Sequence, residues 1–397
     1  MAAAAIGASV AVPLVVSGPG NDLDVANVFR SGRAIARHLS YVPSRPPGAP
    51  VHEAIVGVLD LLGGPLLTNL GSLAAAVLLL VGLHRLLRHE GLGTGGLWAV
   101  GLVAANPWFV IAATSTADYV FALAFVIGAA LALRSGRPVA AGLLAAASMG
   151  CRIGSGALVA AMLLAELAEP AAPAIDSPAL VDDDASATVP PSSPRRRVAI
   201  VAVVAGVATV ALFVPAYLSA HGLSFADNNF STSSLAVQLG RALAKDLNLF
   251  GPPAAVVALL ALPAVALAIG RWRASWLVRF AAVGFVGSQL LFIRFPWKMA
   301  HLLPCVLCLA ILLGVALDAK PRLLAALVAL QLLFCAVRIN VVQPNDPNQA
   351  TSGKVGVSVG WGPVVRDWQC RRDQPNAYRG RQKVEVETAW NCDRPFG

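Results

Sequence analysis

The chain has 397 residues, of which 57% are hydrophobic and 13% charged, and a formal net charge of +9. A soluble domain carries about 25% charged residues, so this composition excludes an ordinary water-soluble enzyme: lipid must solvate much of the apolar surface. The excess of Lys and Arg therefore reads as membrane anchoring and contact with anionic lipid, not as a nucleic-acid-binding surface.

Apolar runs lie near 3–18, 66–84, 95–113, 116–134, 138–150, 153–168, 198–218, 252–270, 276–293, 300–318 and 322–340. They predict an all-α polytopic membrane protein with about eleven transmembrane helices. Ala, Leu, Val and Gly dominate these runs, which suits closely packed helices. The third to sixth runs are short, and two of them suit broken helices that do not cross fully. The first run has no basic residue between Met1 and Ile6, and Ser17-Gly18-Pro19-Gly20 is a poor cleavage site. An uncleaved first helix is expected.

After the first run comes a polar outer loop, 19–54. It opens with Gly20-Asn21-Asp22-Leu23-Asp24-Val25-Ala26-Asn27. Asp22 and Asp24 project the same way from an extended segment. Such a pair can hold a divalent cation, or one acid can act as a general base; it can equally be an N-cap pair opening the next helix. Residues 25–38 then alternate as an amphipathic interfacial helix, with Val25, Val28 and Phe29 against Arg30, Arg33 and Arg37. The prolines of Tyr41-Val42-Pro43-Ser44-Arg45-Pro46-Pro47-Gly48-Ala49-Pro50 fix an extended path with Arg45 at its start. A guanidinium there suits a phosphate, either of a substrate or of a lipid headgroup. His52 and Glu53 begin a further amphipathic segment.

Basic residues mark the tight turns: His84 to His89, Arg134 to Arg137, Arg195 to Arg197, Arg271 to Arg273 and Lys320 to Arg322. Eleven spans place all five on one side, which the positive-inside rule makes cytoplasmic. Residues 169–197, with Pro170, Pro173, Asp182 to Asp184 and Pro190-Pro191, have the composition of a disordered cytoplasmic linker. They separate an N-terminal transmembrane module, 1–168, from a C-terminal one, 198–340. A second outer loop, 219–251, contains an amphipathic helix ending at Asn248. The polar tail, 341–397, falls outside the cytoplasm. Cys370 and Cys392 are the two cysteines of that tail, and on the oxidising side they can close a disulfide. Cys151, Cys305, Cys308 and Cys335 lie in or beside apolar runs and read as small hydrophobes.

The acidic motif after the first span, the interfacial helix and the Tyr-x-Pro-Ser-Arg-Pro-Pro-Gly-x-Pro stretch resemble the first outer loop of GT-C superfamily glycosyltransferases. The likeness is to the protein O-mannosyltransferase and aminoarabinose transferase branch. It extends through Asn106-Pro107-Trp108 and Thr116-Ala117-Asp118-Tyr119, and more loosely to Phe295-Pro296-Trp297-Lys298-Met299-Ala300-His301. The resemblance implies a membrane enzyme that moves a sugar from a polyprenyl-phosphate carrier to an acceptor glycan, lipid or protein at the outer face, with inversion. Asp24 or Asp22 would be the catalytic base, Asp24 being preferred because it adjoins the interfacial helix. Asp118 would orient the acceptor or share a metal, and as an alternative it caps a helix. Arg45, Lys298, His301 and Arg294 would hold the carrier phosphate, and Arg152, at the turn of a short hairpin, could also face the cavity. The chain departs from the branch in having Asp-Leu-Asp in place of adjacent Asp-Glu, and in its length. A multi-pass transporter or lipid flippase, and a non-catalytic scaffold of envelope synthesis, are the other classes that fit. The expected location is a bacterial plasma membrane.

Overall fold

Among the described residues, helices form within the predicted apolar runs, the last of which ends in a strand. A computed structural model describes residues 11–20, 24–169, 193–219, 234–249, 251, 259, 262–272, 275–296, 298–341 and 357–373. The first block begins with α1, helical over residues 11–16, followed by α2 (Val25–His38), α3 (Pro50–His89), α4 (Thr94–Ala104), α5 (Pro107–Ala113), α6 (Tyr119–Arg134) and α7 (Pro138–Cys151). A 3-10 turn at Ile153–Ser155 leads into α8 (Gly156–Leu167). The second block contains α9 (Pro194–Ser219), α10 (Leu235–Leu247), α11 (Leu262–Ile269) and α12 (Trp276–Arg294). A 3-10 turn at Met299–Leu302 then opens α13 (Leu303–Ala316), which is followed by α14 (Pro321–Ala336), β1 (Val337–Val341), β2 (Val357–Trp361) and α15 (Pro363–Asp373).

Among the described residues, four helical stretches are long and apolar enough to cross a membrane: Pro50–His89, Pro194–Ser219, Trp276–Arg294 and Met299–Ala316. A fifth arises if α4 and α5, bent by 68° at the break between them, count as one span. Two of the short runs are expected to be broken helices that do not cross fully, and the run 95–113 contains such a break. Helices α6, α7, α14 and the stretch Ile153–Leu167 are apolar but shorter. Helix α9 displays its membrane character on its surface. Val203, Val207 and Val210 recur at helical spacing and are each about two-thirds exposed, at 64%, 67% and 67%. A stripe of that kind is stable facing hydrocarbon, not water.

Three differences from the sequence expectation have local causes. The second span is preceded by a helical segment that starts at Pro50; at Gly63 and Gly64 the backbone leaves helical geometry, so α3 is two helices joined at a kink. Gly64 takes φ +64, and Pro65 follows it. The last span stops at Ala336 instead of 340, and the chain continues as β1, paired antiparallel with β2 so that Val337 faces Trp361 and Ile339 faces Val359. The architecture is therefore helical with one small two-stranded sheet. Within the tail, residues Pro363–Asp373 form a helix, α15, lying against α14 and α5.

Helix α2 crosses α3 at a glycine contact. A Cβ on Gly32 would lie 2.7 Å from the Glu53 carbonyl oxygen and 2.7 Å from the Gly57 nitrogen. The close approach brings Ser31 Oγ to 2.8 Å from Glu53 and Arg33 Nε to 2.6 Å from Asp60. Helix α2 is thus fastened to α3.

At one end of the bundle the turns that follow α3, α6 and α8 meet the start of α9. Arg134 donates to Glu90 at 2.6 Å and to Glu166 at 3.4 Å, and Arg197 reaches Glu166 at 2.5 Å. Arg279, buried at the start of α12, pairs with Glu169 and donates to the carbonyl of Ala165. Arg134 and Arg197, from two of the basic turns, are thus paired with acids of neighbouring elements. Asn69, Thr116 and the loop after α1 meet at the other end.

Candidate functional site

The chain after α1 is fixed by Asn69 of α3, whose side-chain amide donates to the carbonyls of Val15 at 2.9 Å and Gly18 at 2.7 Å. Thr116 donates from its backbone to Pro19 at 2.9 Å and from its hydroxyl to Asn69 at 3.2 Å. These bonds place the residue before α2, Asp24, beside the residue before α6, Asp118. Both acids occupy helix-capping positions, but neither side chain makes a capping hydrogen bond. Their carboxylates turn to cations.

Arg45 is presented by the loop between α2 and α3. Glu53, fully buried in the first turn of α3, organises that loop. It accepts from Ser44 N at 3.1 Å, Ser44 Oγ and Ala49 N at 3.3 Å, besides Ser31. The Pro46–Pro47 peptide is cis, and Gly48 takes φ +101 against the Tyr41 ring, where a Cβ would lie 2.2 Å from the phenolic oxygen. So held, Arg45 bonds Asp118 and lies 3.7 Å from Asp24. Arg152, in the extended link after α7, places its guanidinium 4.2 Å from the centre of the Tyr119 ring and donates to both Asp118 oxygens at 3.2 Å. Lys298, just before the 3-10 turn that opens α13, bonds Asp24 at 2.9 Å.

Among the described residues, three cations, Arg45, Arg152 and Lys298, meet the carboxylates of Asp24 and Asp118. Burial pushes the Asp118 carboxyl up, but Arg45 and then Arg152 outweigh it and hold the group down at about 2. Burial opposes the charge on Arg45, and Asp118 and Asp24 reverse that, so its guanidinium stays above its ordinary value. Between these groups is a cavity of about 10 Å³, lined by Asp24, Val25, Val28, Arg45, His52, Thr116, Ala117, Asp118 and Tyr119. That is room for about one water. A sugar enters only if the ion pairs across it part.

The other sequence candidates fall as follows. His301 stands behind Tyr119, ring centres 6.1 Å apart, with Nδ1 at 3.2 Å from the Phe295 carbonyl. Arg294 ends α12 with its guanidinium over the Phe295 ring at 5.2 Å, and does not line the cavity. Asp22 and Cys392 lie outside the described residues. Cys370 is disulfide-bonded and packs with Val25, Val28, Phe29 and Val56, on the apolar side of α2. Cys151, Cys305, Cys308 and Cys335 are free thiols, the first three buried. No three His, Cys, Asp or Glu side chains come together as a cation site among the described residues.

Two residues at the site carry more than sequence reasoning gave them. Glu53 and His52 were read only as the start of an amphipathic segment. An acid and an imidazole inside the apolar run 51–62 were the available signal, since charge within such a run is retained where it is paired or used. Arg371 of α15 is the third addition. It donates to the carbonyls of Leu14 at 3.1 Å, Thr114 at 2.6 Å and Ile111 at 3.3 Å, and pairs with Asp367 at 2.6 Å. The tail helix is thereby bound to the same end of the bundle as Asp24 and Asp118.

No protein-family model, curated protein or solved structure matches this chain.

Proposed function

We propose that this protein is a membrane glycosyltransferase of GT-C type, with about eleven membrane-associated helices, that uses a polyprenyl-phosphate-linked sugar. The observation that carries the reading is the cluster of Arg45, Arg152 and Lys298 around Asp24 and Asp118 at one end of an apolar helix bundle. Three clustered cations suit a phosphate brought in on lipid, and a partly exposed carboxylate beside them suits a base. The phosphate exchanges partners with the acids: it takes Arg45 and Lys298, and Asp24 is released toward the acceptor. Asp24 then accepts the proton of an acceptor hydroxyl. The hydroxyl oxygen bonds the anomeric carbon from the face opposite the phosphate, and the bond from that carbon to the phosphate oxygen breaks. The electron pair leaves on the phosphate, whose growing charge Arg45, Arg152 and Lys298 stabilise. Asp118 keeps the arginines in place and orients the acceptor. A divalent cation, if used, would have to compete with these three cations for the two acids.

The site lies at the end opposite the Arg134–Glu166–Arg197 cluster. With the basic turns on the cytoplasmic side, both the site and the tail face outward, at the surface of a bacterial plasma membrane. External labelling of Cys370 and Cys392 after reduction tests this orientation. Transfer is tested by incubating membranes with radiolabelled polyprenyl-phosphate sugars. Wild type transfers label, whereas Asp24→Asn and Asp118→Asn do not; unchanged transfer in both variants and in the double variant removes the mechanism.

A transporter is the second reading, favoured by the bent pair α4–α5. At that break, however, Asn106 bonds the backbone of Trp108 and Phe109, the Leu249 carbonyl and Gln331. The freed polar groups are filled by the protein itself, which suits a structural bend better than a substrate path.

A further inference from the structure

The charged groups of the site account for a phosphate and an attacking hydroxyl. His52 is not used by either. It sits in the first turn of α3, fully buried, and lines the cavity with Arg45 and Asp118. Neither ring nitrogen has a hydrogen-bond partner among the described residues. The ring is instead placed by packing, its centre 5.3 Å from that of Phe121. Buried polar groups in folded proteins are nearly always paired, so an imidazole fixed by apolar contact and facing a cavity points to a partner that arrives with the ligand.

The chemistry of the imidazole says which part of the ligand that is. A neutral imidazole offers one donor and one acceptor, whereas a phosphate oxygen only accepts and has Arg45 and Lys298 to serve it. A hydroxyl both donates and accepts. Resting on the lipid-linked donor reading above, we infer that His52 is a specificity-determining residue that hydrogen-bonds a hydroxyl of the donor's sugar, next to the phosphate held by Arg45. Phe121 fixes the ring, so the hydroxyl must come to the imidazole, and a sugar that places none there is bound less well.

The test is binding to the purified full-length protein in nanodiscs. The probes are a short-chain polyprenyl phosphate, and the same lipid carrying mannose, glucose or arabinose. Wild type, His52→Ala, His52→Phe, His52→Gln and Arg45→Ala are compared, with thermal unfolding run in parallel. Wild type prefers at least one sugar-bearing lipid over the bare phosphate. His52→Ala and His52→Phe lose that preference, roughly tenfold for one hydrogen bond with its buried partner stranded, and bind the bare phosphate as wild type does. His52→Gln, which keeps a donor and an acceptor, retains part of the preference. Arg45→Ala weakens every lipid alike. Equal weakening of bare and sugar-bearing lipids in the folded His52 variants, or unchanged binding of all of them, overturns the assignment of His52 and leaves the donor reading standing. A wild type that binds none of the lipids overturns both.

Discussion

Removing Arg45 should reveal how the two acids are balanced. Its guanidinium bonds Asp118, which is 4% exposed, and approaches Asp24. A carboxyl lowered from 3.8 to about 2 by its surroundings contributes about 2–3 kcal/mol at neutral pH. The group's pKa is depressed in the folded state, so this stability is present above about pH 4 and is lost as pH falls through about 2. In Arg45→Ala only Arg152 opposes the burial of Asp118 among these cations, and most of that contribution disappears. The expected result is a loss of about 2 kcal/mol at pH 7, narrowing as pH falls from about 4 and vanishing below about 2, where Asp118 becomes protonated in both proteins. Equilibrium unfolding of the purified protein in mixed micelles across that range measures it. Arg45→Ala/Asp118→Asn should be less destabilised than the sum of the single variants, because the stranded charge is gone. A constant gap at every pH, or strict additivity, would refute the pairing argument.

Three further outcomes follow from the same geometry. Gly32→Ala drives a methyl group into the backbone of Glu53 and Gly57, neither able to move without shifting a helix; it should cost about 1–3 kcal/mol in unfolding measurements. Glu53→Ala removes the acceptor of two hydroxyls and two amides, so about 3 kcal/mol of stability should go. Hydrogen exchange in residues 40–49 should rise with it, and transfer activity should fall although Glu53 does not line the cavity. Arg371→Ala breaks a buried ion pair and frees three carbonyls, a loss of about 3 kcal/mol or more; limited proteolysis should then cut the tail faster than in wild type.

The parts of the fold that depend on local pattern were readable from the chain. The 3.6-residue period of Val25, Val28 and Phe29 against Arg30, Arg33 and Arg37 marks α2, and the helix runs over the predicted 25–38. Long apolar runs mark the bundle. What failed was the end of the last run: Val337-Arg338-Ile339-Asn340-Val341 alternates with the period of a strand, but it continues an apolar helix without a break, and periodicity alone did not separate them. The site was legible as a set of residue types but not as a set of partners. Lys298 meets Asp24 across 274 residues of sequence, and Arg45 meets Asp118 across 73. No local signal reports such pairings. Arg33 illustrates the same limit: it was placed on a polar face, and it is spent on Asp60 because the Gly32–Gly57 crossing brings the two helices together. Arg294, which the resemblance groups with the phosphate ligands, has its guanidinium over the Phe295 ring.

The central claim is that Asp24 takes a proton while a carrier phosphate leaves toward Arg45 and Lys298. A donor labelled with one isotope in the sugar and another in the phosphate tests both halves at once. Wild-type protein should transfer the sugar label to acceptor and yield sugar-free polyprenyl phosphate in equal amount. Asp24→Asn should bind the doubly labelled donor as tightly while turning it over about 100-fold or more slowly, the scale of a lost general base. Equal turnover by Asp24→Asn and wild type, or phosphate label that never appears as free carrier, would contradict the account.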